Sequence, residues 1–454
     1  MLAEMMNLRK LSFPLALMGL ATTIFFCIFD WGISQQVYKM MTFDPYAQAF
    51  TLVMCVTALL WLVMSEQYFD RMGSATDRYA LVMFILVGGL VMIAYSNLVM
   101  LFIGVEILSV SLYVLAGSQK NDLNSNEAAF KYFLMGAFAS GFLLFGIALI
   151  YGVTGTFDVE QIRLTLAAKS AQEGVNSMLL TGSLMLLIGL GFKVSAAPFH
   201  FWAPDVYQGS PTPITALMAT IVKIAAFAAM YRLFTQYLGS TMTNGWDDIV
   251  VGMIVLTLLI SNISAVLQHD AKRMLAYSSI SHAGYMLLAL LCANGQSDNS
   301  IVFYSAVYSV ATIVAFMVLQ LVSEKAGSTD ITAFNGLGKS NPVMAVAMTI
   351  SVLSMAGIPP LAGFMAKYYI FANAMQEGYW GLILFAIAMS LVGVYYYFRI
   401  IIAMFLGNNT DGTSQDNREG GAIKINPLQN ALLIVGCIAL LVLGILPQLV
   451  YGLL

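Results

Sequence analysis

The amino-acid sequence predicts an all-α polytopic membrane protein with about 13 transmembrane helices. Of its 454 residues, 60% are hydrophobic and only 9% are charged, whereas an ordinary soluble domain has about a quarter charged residues. Apolar segments of about 20 residues, the length that one crossing of a bilayer needs, follow one another along the chain. Only helices satisfy their own backbone hydrogen bonds in lipid at these lengths.

The apolar segments are separated by short polar connections. Their approximate bounds are 11–29, 46–65, 78–96, 98–117, 128–152, 178–198, 212–238, 249–268, 272–293, 301–323, 342–376, 378–405 and 428–453. The segment 342–376 is too long for one straight crossing, and the Gly-Ile-Pro-Pro sequence at 357–360 predicts a broken helix there. Pro198 and Pro204 predict a second break after the segment 178–198.

Two Pro-broken segments, one in each half of a membrane chain, are typical of inverted repeats whose half-helices meet at an ion or substrate site. We expect one membrane domain over residues 1–454, with a first repeat at about 78–238, a second at about 249–405 and a final span at 428–453. The alternative is that each Pro only kinks its helix.

The positions of the loop Lys and Arg residues predict the orientation, because cytoplasmic loops collect basic residues. With 342–376 counted as one broken span, the basic loop residues divide eleven to three between the two sides. The larger group is Arg9, Lys10, Arg71, Arg78, Lys120, Lys272, Arg273, Lys325, Lys339, Arg418 and Lys424; the smaller is Lys39, Arg163 and Lys169. This count predicts a cytoplasmic N-terminus and an external C-terminus.

Several function classes lack their usual sequence features. No basic run suits nucleic acid, and no nucleotide-binding fingerprint occurs. Cys27, Cys55, Cys292 and Cys437 stand alone in apolar surroundings without metal-ligand spacing. We therefore expect the chain to bind no nucleic acid and to have no metal site or redox cofactor of its own.

Charged residues inside the apolar segments are the candidate functional residues, since each costs about 2.5–3.5 kcal/mol at the centre of a bilayer on insertion scales. They are Glu106, Lys131, Lys193, Lys223, Arg232, Lys367 and Arg399. Arg232 and Arg399 lie near span ends, where we expect their side chains to reach the membrane surface. Lys223 and Glu106 lie at mid-span.

A buried Lys is suited to proton relay, because burial favours its neutral form and a nearby carboxylate favours its charged form. The alternative is a fixed ion pair, but the single acid Glu106 cannot pair with all the buried lysines. His282 lies mid-span with Ser278, Ser279 and Tyr285 on its helical face. That face predicts a hydroxyl and imidazole route for protons, or alternatively a His that only packs.

Five motifs in the chain resemble the antiporter-like membrane subunits of respiratory complex I, in the version called subunit N. They are the sequences around Glu106 (101–109), Lys131 (126–133), Lys193 (191–213), His282 (272–282) and Lys367 (357–367). The M-type paralogues have Glu where Lys367 stands, which favours the N-type. Relatives usually have the acid that matches Glu106 on the fifth helix, whereas it falls on the fourth here, so we expect this sequence to lack the first family helix.

The resemblance implies a proton pump module of NADH–quinone oxidoreductase in the bacterial inner membrane. Glu106 and Lys193 would form the coupling pair, with Lys131 near that acid. Lys223 would be the central relay, and Lys367 the exit-side Lys. The flavin, the iron–sulfur clusters and the quinone site would belong to partner subunits, and the M-type and L-type paralogues and small membrane subunits would be the neighbours.

Three other functions remain open on the sequence. A cation/proton antiporter subunit shares many of these motifs. A structural spacer would need no buried charges, and apolar side chains would fill its place at lower cost. An independent solute transporter fits the repeat architecture, although no additional polar binding residues are present.

Overall fold

The fold is described from a computed structural model, which covers residues 11–71, 75–173, 177–238, 245–292, 295–407 and 423–453. The loop bases Arg9, Lys10 and Arg418 of the orientation count lie outside these ranges. Within them, twelve helices are long and apolar enough to cross a membrane. The prediction of a polytopic helical membrane protein is confirmed.

The first part of the chain packs α1 against α2 and α3 against α4. A two-stranded antiparallel hairpin, β1–β2, joins α1 to α2, and it was not expected in an all-α protein. The bounds are α1 Ser12–Phe29, β1 Gln35–Val37, β2 Met41–Phe43, α2 Pro45–Arg71, α3 Ala75–Ala94, α4 Leu98–Ala116, α5 Leu123–Thr154 and α6 Val159–Glu173.

The middle of the chain contains the first predicted break. The helix α7 ends at Val194, and the short helix α8 begins at Trp202, so the Pro198 segment separates two half-helices. The bounds are α7 Ser177–Val194, α8 Trp202–Gly209, α9 Thr212–Ala219, α10 Ile221–Tyr231, a π-helical segment Arg232–Tyr237, α11 Trp246–Val266 and α12 Ala271–Leu287.

The predicted span 212–238 differs from expectation, because it is not one continuous helix. It is interrupted at Thr220, which has φ −116° and ψ −77°, and it ends in the π-helical segment. No Pro or Gly lies at Thr220 to signal this break. As a result Lys223 is the third residue of a new helix, rather than a residue in the middle of a regular one.

The last part of the chain contains the second predicted break, where α14 and α15 divide the segment 342–376. Gly357 ends α14 in the left-handed region, at φ +86°, a conformation that glycine adopts without strain. The bounds are α13 Gly295–Ala326, α14 Pro342–Ala356, α15 Ala362–Gln376, α16 Trp380–Leu406 and α17 Pro427–Ile445.

The core of the bundle is formed by the helices that contain the breaks and by those that pack on them. Residues 213–234 are all buried inside the protein, and so are most residues of Ala271–Leu291 and Gln296–Ala326. In the outer helices α1, α5, α16 and α17, most residues are exposed or only partly buried. Side chains on the central helices are therefore shielded from lipid by protein.

Candidate functional site

Lys193 lies in the last turn of α7 and is 2% exposed. Its Nζ donates a hydrogen bond to Ser109 Oγ on α4 at 2.6 Å. The same Nζ lies 5.6 Å from the ring centres of Tyr113 and Tyr132, a distance at which an aromatic face attracts a cation. The ammonium group is thus held by a neutral hydroxyl and by aromatic rings.

Glu106 lies near the middle of α4, one turn before Ser109. Its Oε1 accepts a hydrogen bond from Ser140 Oγ on α5. Glu106 and Lys193 form no direct ion pair among the described residues, whose ion pairs lie elsewhere. Ser109, which accepts from Lys193, lies one turn along α4 from Glu106, so the predicted coupling pair is not a direct salt bridge.

Lys131 is not where the resemblance implied, and its predicted position near Glu106 is corrected here. Its Nζ pairs with Glu127 Oε1 at 2.7 Å and with Asp205 Oδ2 at 2.9 Å, and its side chain is 40% exposed. On α5 it precedes Ser140, the partner of Glu106, by nine residues, or about 14 Å of helix. The carboxylates of Glu127 and Asp205 hold the Lys131 ammonium group at this end of the bundle.

Asp205 connects the short helix α8 to two neighbours, because it also accepts a hydrogen bond from Arg273 of α12 at 2.8 Å. Burial raises the pKa of the Asp205 carboxyl, but the hydrogen bonds from Lys131 and Arg273 lower it further than burial raises it, so the pKa lies below the usual value. This network lines a polar cavity of about 260 Å³. We call this end of the bundle the cavity face.

Lys223 is 1% exposed. Its Nζ donates a hydrogen bond to the backbone oxygen of Ser279 on α12 and lies 5.9 Å from the ring centre of Tyr308. The hydroxyl of Tyr308 in turn donates to Ser279 Oγ at 2.8 Å. As with Lys193, the partners are neutral, and none of them is a carboxylate.

His282, on α12, lies at the centre of a cluster of hydroxyl groups from α12 and from neighbouring helices. Its Nδ1 is 2.7 Å from Tyr304 Oη, and its Nε2 is 3.3 Å from Tyr397 Oη. Tyr397 is also hydrogen-bonded to Ser278. A cavity of about 10 Å³ lies beside His282 and Tyr304, which is about the space that one water needs.

Lys367 lies in α15, just after the second break, and is 7% exposed. Its Nζ donates to the backbone oxygen of Ala356 at 2.9 Å and to Ser390 Oγ at 2.7 Å. It also lies 4.7 Å from the ring centre of Tyr285, which is one turn along α12 from His282. The break exposes the Ala356 carbonyl as an acceptor, because the helix that would have used it has ended.

One face of α12 therefore contacts both lysines, Lys223 at Ser279 and Lys367 at Tyr285. Ser278, Ser279, His282 and Tyr285 could be placed on this face from the sequence alone. The tyrosines that complete the cluster, Tyr304 and Tyr308 on α13 and Tyr397 on α16, could not. Their spacing of four residues on α13 was the only available signal.

Arg232 contradicts the prediction that it reaches the membrane surface. Its side chain is 0% exposed and its Nη2 donates to Asp44 Oδ1 at 2.5 Å. The guanidinium also lies 4.8 Å from the ring centre of Tyr46. The ion pair with Asp44, which is 188 positions away along the chain, compensates the positive charge of Arg232 inside the protein. The other predicted surface Arg, Arg399, is partly buried and donates to the backbone oxygen of Val266.

Metal ligands do not cluster in the described residues, where no group of three His, Cys, Asp or Glu side chains could hold an ion. The chemistry available to the arrangement is proton exchange among lysines, an imidazole and hydroxyls. All of these groups can donate hydrogen bonds, and all except a charged Lys can accept them.

Comparisons with known proteins place the chain among membrane subunits of similar architecture. A family model described as "NADH:quinone oxidoreductase/Mrp antiporter, TM" matches residues 95–393. NADH-quinone oxidoreductase subunit N from Cytophaga hutchinsonii is 42% identical over 410 residues, which is 90% of this chain and 88% of that protein.

Two solved structures show the same fold. A chain of respiratory complex I from Thermus thermophilus superposes with a TM-score of 0.82 at 34% identity, covering 98% of this chain and 94% of that one. A chain of the Mrp complex from Dietzia sp. DQ12-45-1b superposes with a TM-score of 0.86 at 22% identity, covering 98% and 91%. The second likeness is evidence of fold alone.

Proposed function

Because the chain belongs to the antiporter-like membrane subunits of NADH-quinone oxidoreductase, in the subunit N branch, we propose that it translocates protons through its buried Glu and Lys residues. It is a multi-pass membrane subunit of that enzyme. The proton path begins at Glu106 and Lys193, passes Lys223 and His282, and reaches Lys367.

The bonding partners of the three buried lysines are the observation that supports this proposal. Ser109, the Ser279 carbonyl, and the Ala356 carbonyl with Ser390 are all neutral. A structural ion pair would instead place a carboxylate against each Lys, since removing one partner of a buried pair is strongly destabilising. A Lys with neutral acceptors can give up its proton without leaving an unpaired carboxylate behind.

The spacing along α12 supports a continuous route between the last two lysines. The hydroxyl and imidazole groups of Ser279, His282 and Tyr285 recur at successive turns of one helix, and Tyr304 and Tyr397 hydrogen-bond to His282 from its neighbours. Such a line of groups that both donate and accept is the arrangement that proton transfer needs.

Lys131 keeps a part in the proposal, but at the surface. It lines the polar cavity of the cavity face with Asp205 and Arg273, where water reaches it. We assign it to proton collection at that face rather than to the coupling pair. The ion pairs with Glu127 and Asp205 would keep the Lys131 ammonium group at this cavity, beside α8, where it can exchange protons with water.

The surroundings of the chain follow from the family. The M-type and L-type paralogues and small membrane subunits are its proposed neighbours, and flavin, iron–sulfur clusters and the quinone site are assigned to partner subunits. The bacterial inner membrane is the proposed location, with the cavity face towards the cytoplasm. The inverted repeats at about 78–238 and 249–405 are proposed as the two halves of the pump.

Replacing Lys223 or Lys367 by Met tests the proposal, because Met fills similar volume without a proton to exchange. The complex carrying Lys223→Met or Lys367→Met is reconstituted in vesicles, and proton uptake is measured together with NADH oxidation. We expect assembled complexes with fewer protons moved per NADH. Arg399→Met is the matched control, since Arg399 is also a cation bonded to a backbone carbonyl but lies outside the path.

Wild-type proton uptake per NADH in both Lys variants would contradict the proposal and would favour a structural spacer. Equal losses in the Lys variants and in Arg399→Met would also contradict it, because the effect would then follow from removing any intramembrane cation.

A further inference from the structure

The ammonium group of Lys193 lies against aromatic rings that are not themselves part of the proton path. Its Nζ is 5.6 Å from the ring centre of Tyr132 and 5.7 Å from that of Phe192, the preceding residue. An aromatic face at this distance attracts a cation more strongly than it attracts a neutral amine. The placement of these rings therefore affects how readily Lys193 releases its proton.

Tyr132, on α5, contributes its ring to this site rather than its hydroxyl group. The side chain is 0% exposed, and its hydroxyl is buried without a hydrogen-bond partner among the described residues. A hydroxyl buried in this way is unfavourable, so the hydrogen-bonding capacity of Tyr132 is not what the site uses. What Tyr132 offers to Lys193 is its aromatic ring.

Trp202, on the short helix α8, packs on the Tyr132 ring. The two rings are stacked, with their centres 4.5 Å apart and their planes 7° from parallel. Trp202 Nε1 also donates a hydrogen bond to the backbone oxygen of Phe192 at 3.0 Å. Trp202 thus contacts both the Tyr132 ring and the residue before Lys193, so a shift of α8 would move the aromatic surroundings of that Lys.

Asp205 anchors α8 at the cavity face, three residues after Trp202 on the same helix. Its Oδ2 pairs with Lys131 at 2.9 Å, and Lys131 is adjacent to Tyr132 on α5. Its Oδ1 pairs with Arg273 of α12 at 2.8 Å. The helices α5 and α8 are therefore joined twice, by an ion pair at the cavity and by the stacked rings inside the protein.

From these contacts we propose that Asp205 is a positioning residue for Lys193, because its ion pairs hold α8 so that the Trp202–Tyr132 stack stays against the ammonium group. Asp205 acts through the two rings rather than by contact with Lys193. This inference rests on the proposed proton path, since Lys193 is one of its groups. It gives the ion pairs at the cavity face an influence on a Lys that is only 2% exposed.

Other titratable groups face Lys193 and stay the same in the variants that test this proposal. Glu106 acts on Lys193 electrostatically, and the ring centre of Tyr113 lies 5.6 Å from its Nζ; both residues are on α4. The helix α10 also packs on α7, but its Lys223 is hydrogen-bonded to Ser279. A change in the pH profile of the variants is then attributable to the rings.

The test is the pH dependence of proton uptake per NADH oxidised, measured with the intact complex in vesicles at neutral and alkaline pH. Tyr132→Leu removes the ring, so Lys193 should lose its proton at lower pH, and we expect the alkaline decline of uptake to begin about half a pH unit lower or more. Tyr132→Phe keeps the ring and should leave the profile unchanged. Asp205→Asn should shift the decline in the same direction as Tyr132→Leu, and Asp205→Glu should restore the original profile.

A double variant separates positioning from a plain structural ion pair or a proton-collecting one. If Asp205 acts through the Tyr132 ring, the complex carrying both Asp205→Asn and Tyr132→Leu should show the same shift as Tyr132→Leu alone, because the two changes remove one interaction. Shifts that add in the double variant would overturn the proposal, since Asp205 would then act by another route, such as its ion pair with Lys131.

An unchanged profile in Tyr132→Leu or in Asp205→Asn would also overturn the proposal, as would an equal shift in Tyr132→Phe and Tyr132→Leu. If Tyr132→Leu fails to assemble, Trp202→Phe replaces it, because this change loses the hydrogen bond to Phe192 and part of the stack; an unchanged profile there overturns the proposal as well.

Lys193→Met separates this proposal from the proton path on which it rests. Reduced uptake per NADH in Lys193→Met, together with an unchanged profile in Asp205→Asn, would overturn the positioning role and leave the path in place. Uptake equal to that of the unchanged complex in Lys193→Met would overturn both.

Discussion

The three buried lysines with neutral partners, Lys193, Lys223 and Lys367, are energetically unfavourable inside a membrane. Each charged group inside a membrane costs about 2.5–3.5 kcal/mol on insertion scales, and hydrogen bonds to Ser109, to Ser390 and to backbone carbonyls offset part of that cost. An apolar side chain at the same position would pack without it. The presence of Lys at these positions is therefore explained if each Lys exchanges its proton during function.

Glu106→Gln is the residue-scale prediction. The change keeps the side-chain volume and the hydrogen bond with Ser140, but it removes the negative charge that favours a protonated Lys193. We expect near-normal assembly and reduced coupled activity. NADH-driven quinone reduction and proton uptake in vesicles measure this, and Glu160→Gln, a change in an exposed carboxylate that pairs with Arg163 outside the proposed path, is the control.

The proposed coupling role of Glu106 would be contradicted if the assembled Glu106→Gln complex matched the unchanged complex in both measurements. A comparable loss in Glu160→Gln would likewise show that the effect is not specific to the buried acid.

The sequence identified the residues whose chemistry conflicts with their surroundings. Lys193, Lys223 and Lys367 stand out because a charge in an apolar segment is visible without a structure. Tyr304 does not stand out, because it is one of 22 tyrosines in the chain and its partner is determined by tertiary packing. The prediction that Arg232 reaches the membrane surface was wrong because its ion-pair partner, Asp44, is distant in the sequence.

At the scale of elements, the breaks place the functional groups. The half-helices α14 and α15 approach so closely that a Cβ on Gly363 would lie 1.7 Å from the backbone oxygen of Ser354. Gly363 N also donates to Ser354 Oγ at 3.1 Å. Lys367 is one turn farther along α15, so this contact sets its position against the Ala356 carbonyl.

Gly363→Ala should therefore displace α15 and impair the site. Overpacking of this kind costs about 1–3 kcal/mol, and we expect a lower yield of assembled complex together with reduced proton uptake per NADH. Gly381→Ala is the matched control, because a Cβ there meets nothing within 4 Å. Equal behaviour of the two variants would show that the close approach does not matter.

Proline residues allowed both helix breaks to be predicted from the sequence, at Pro198 and at residues 357–360. The interruption at Thr220 had no such signal. Its backbone conformation depends on the helices packed around residues 213–234, all of which are buried, and tertiary packing of that kind overrides local propensity.

At the scale of the whole molecule, the two faces differ in their charged groups. Lys131, Arg273 and Asp205 lie at the cavity face, and Asp44 lies with the hairpin at the other. Loop bases predict that the cavity face is cytoplasmic. This orientation determines the direction in which the proposed path moves protons.

Single cysteines at Tyr38 and Lys120 test the orientation. Tyr38 is at the tip of the β1–β2 hairpin and is 92% exposed, and Lys120 is in the loop between α4 and α5. In right-side-out vesicles, an impermeant thiol reagent should label Tyr38→Cys and spare Lys120→Cys until the membrane is opened. The reverse pattern would invert the orientation, and labelling of both would mean that the spans are miscounted.

The most direct test of the account is the proton-to-NADH ratio of complexes carrying Lys223→Arg or Lys367→Arg. Arg keeps the positive charge and the ability to donate to the same carbonyls, but it does not release its proton under working conditions. The account predicts that both complexes assemble and move fewer protons per NADH oxidised than the unchanged enzyme. An unchanged ratio in both variants would contradict a Lys relay, because it would show that a fixed charge is sufficient.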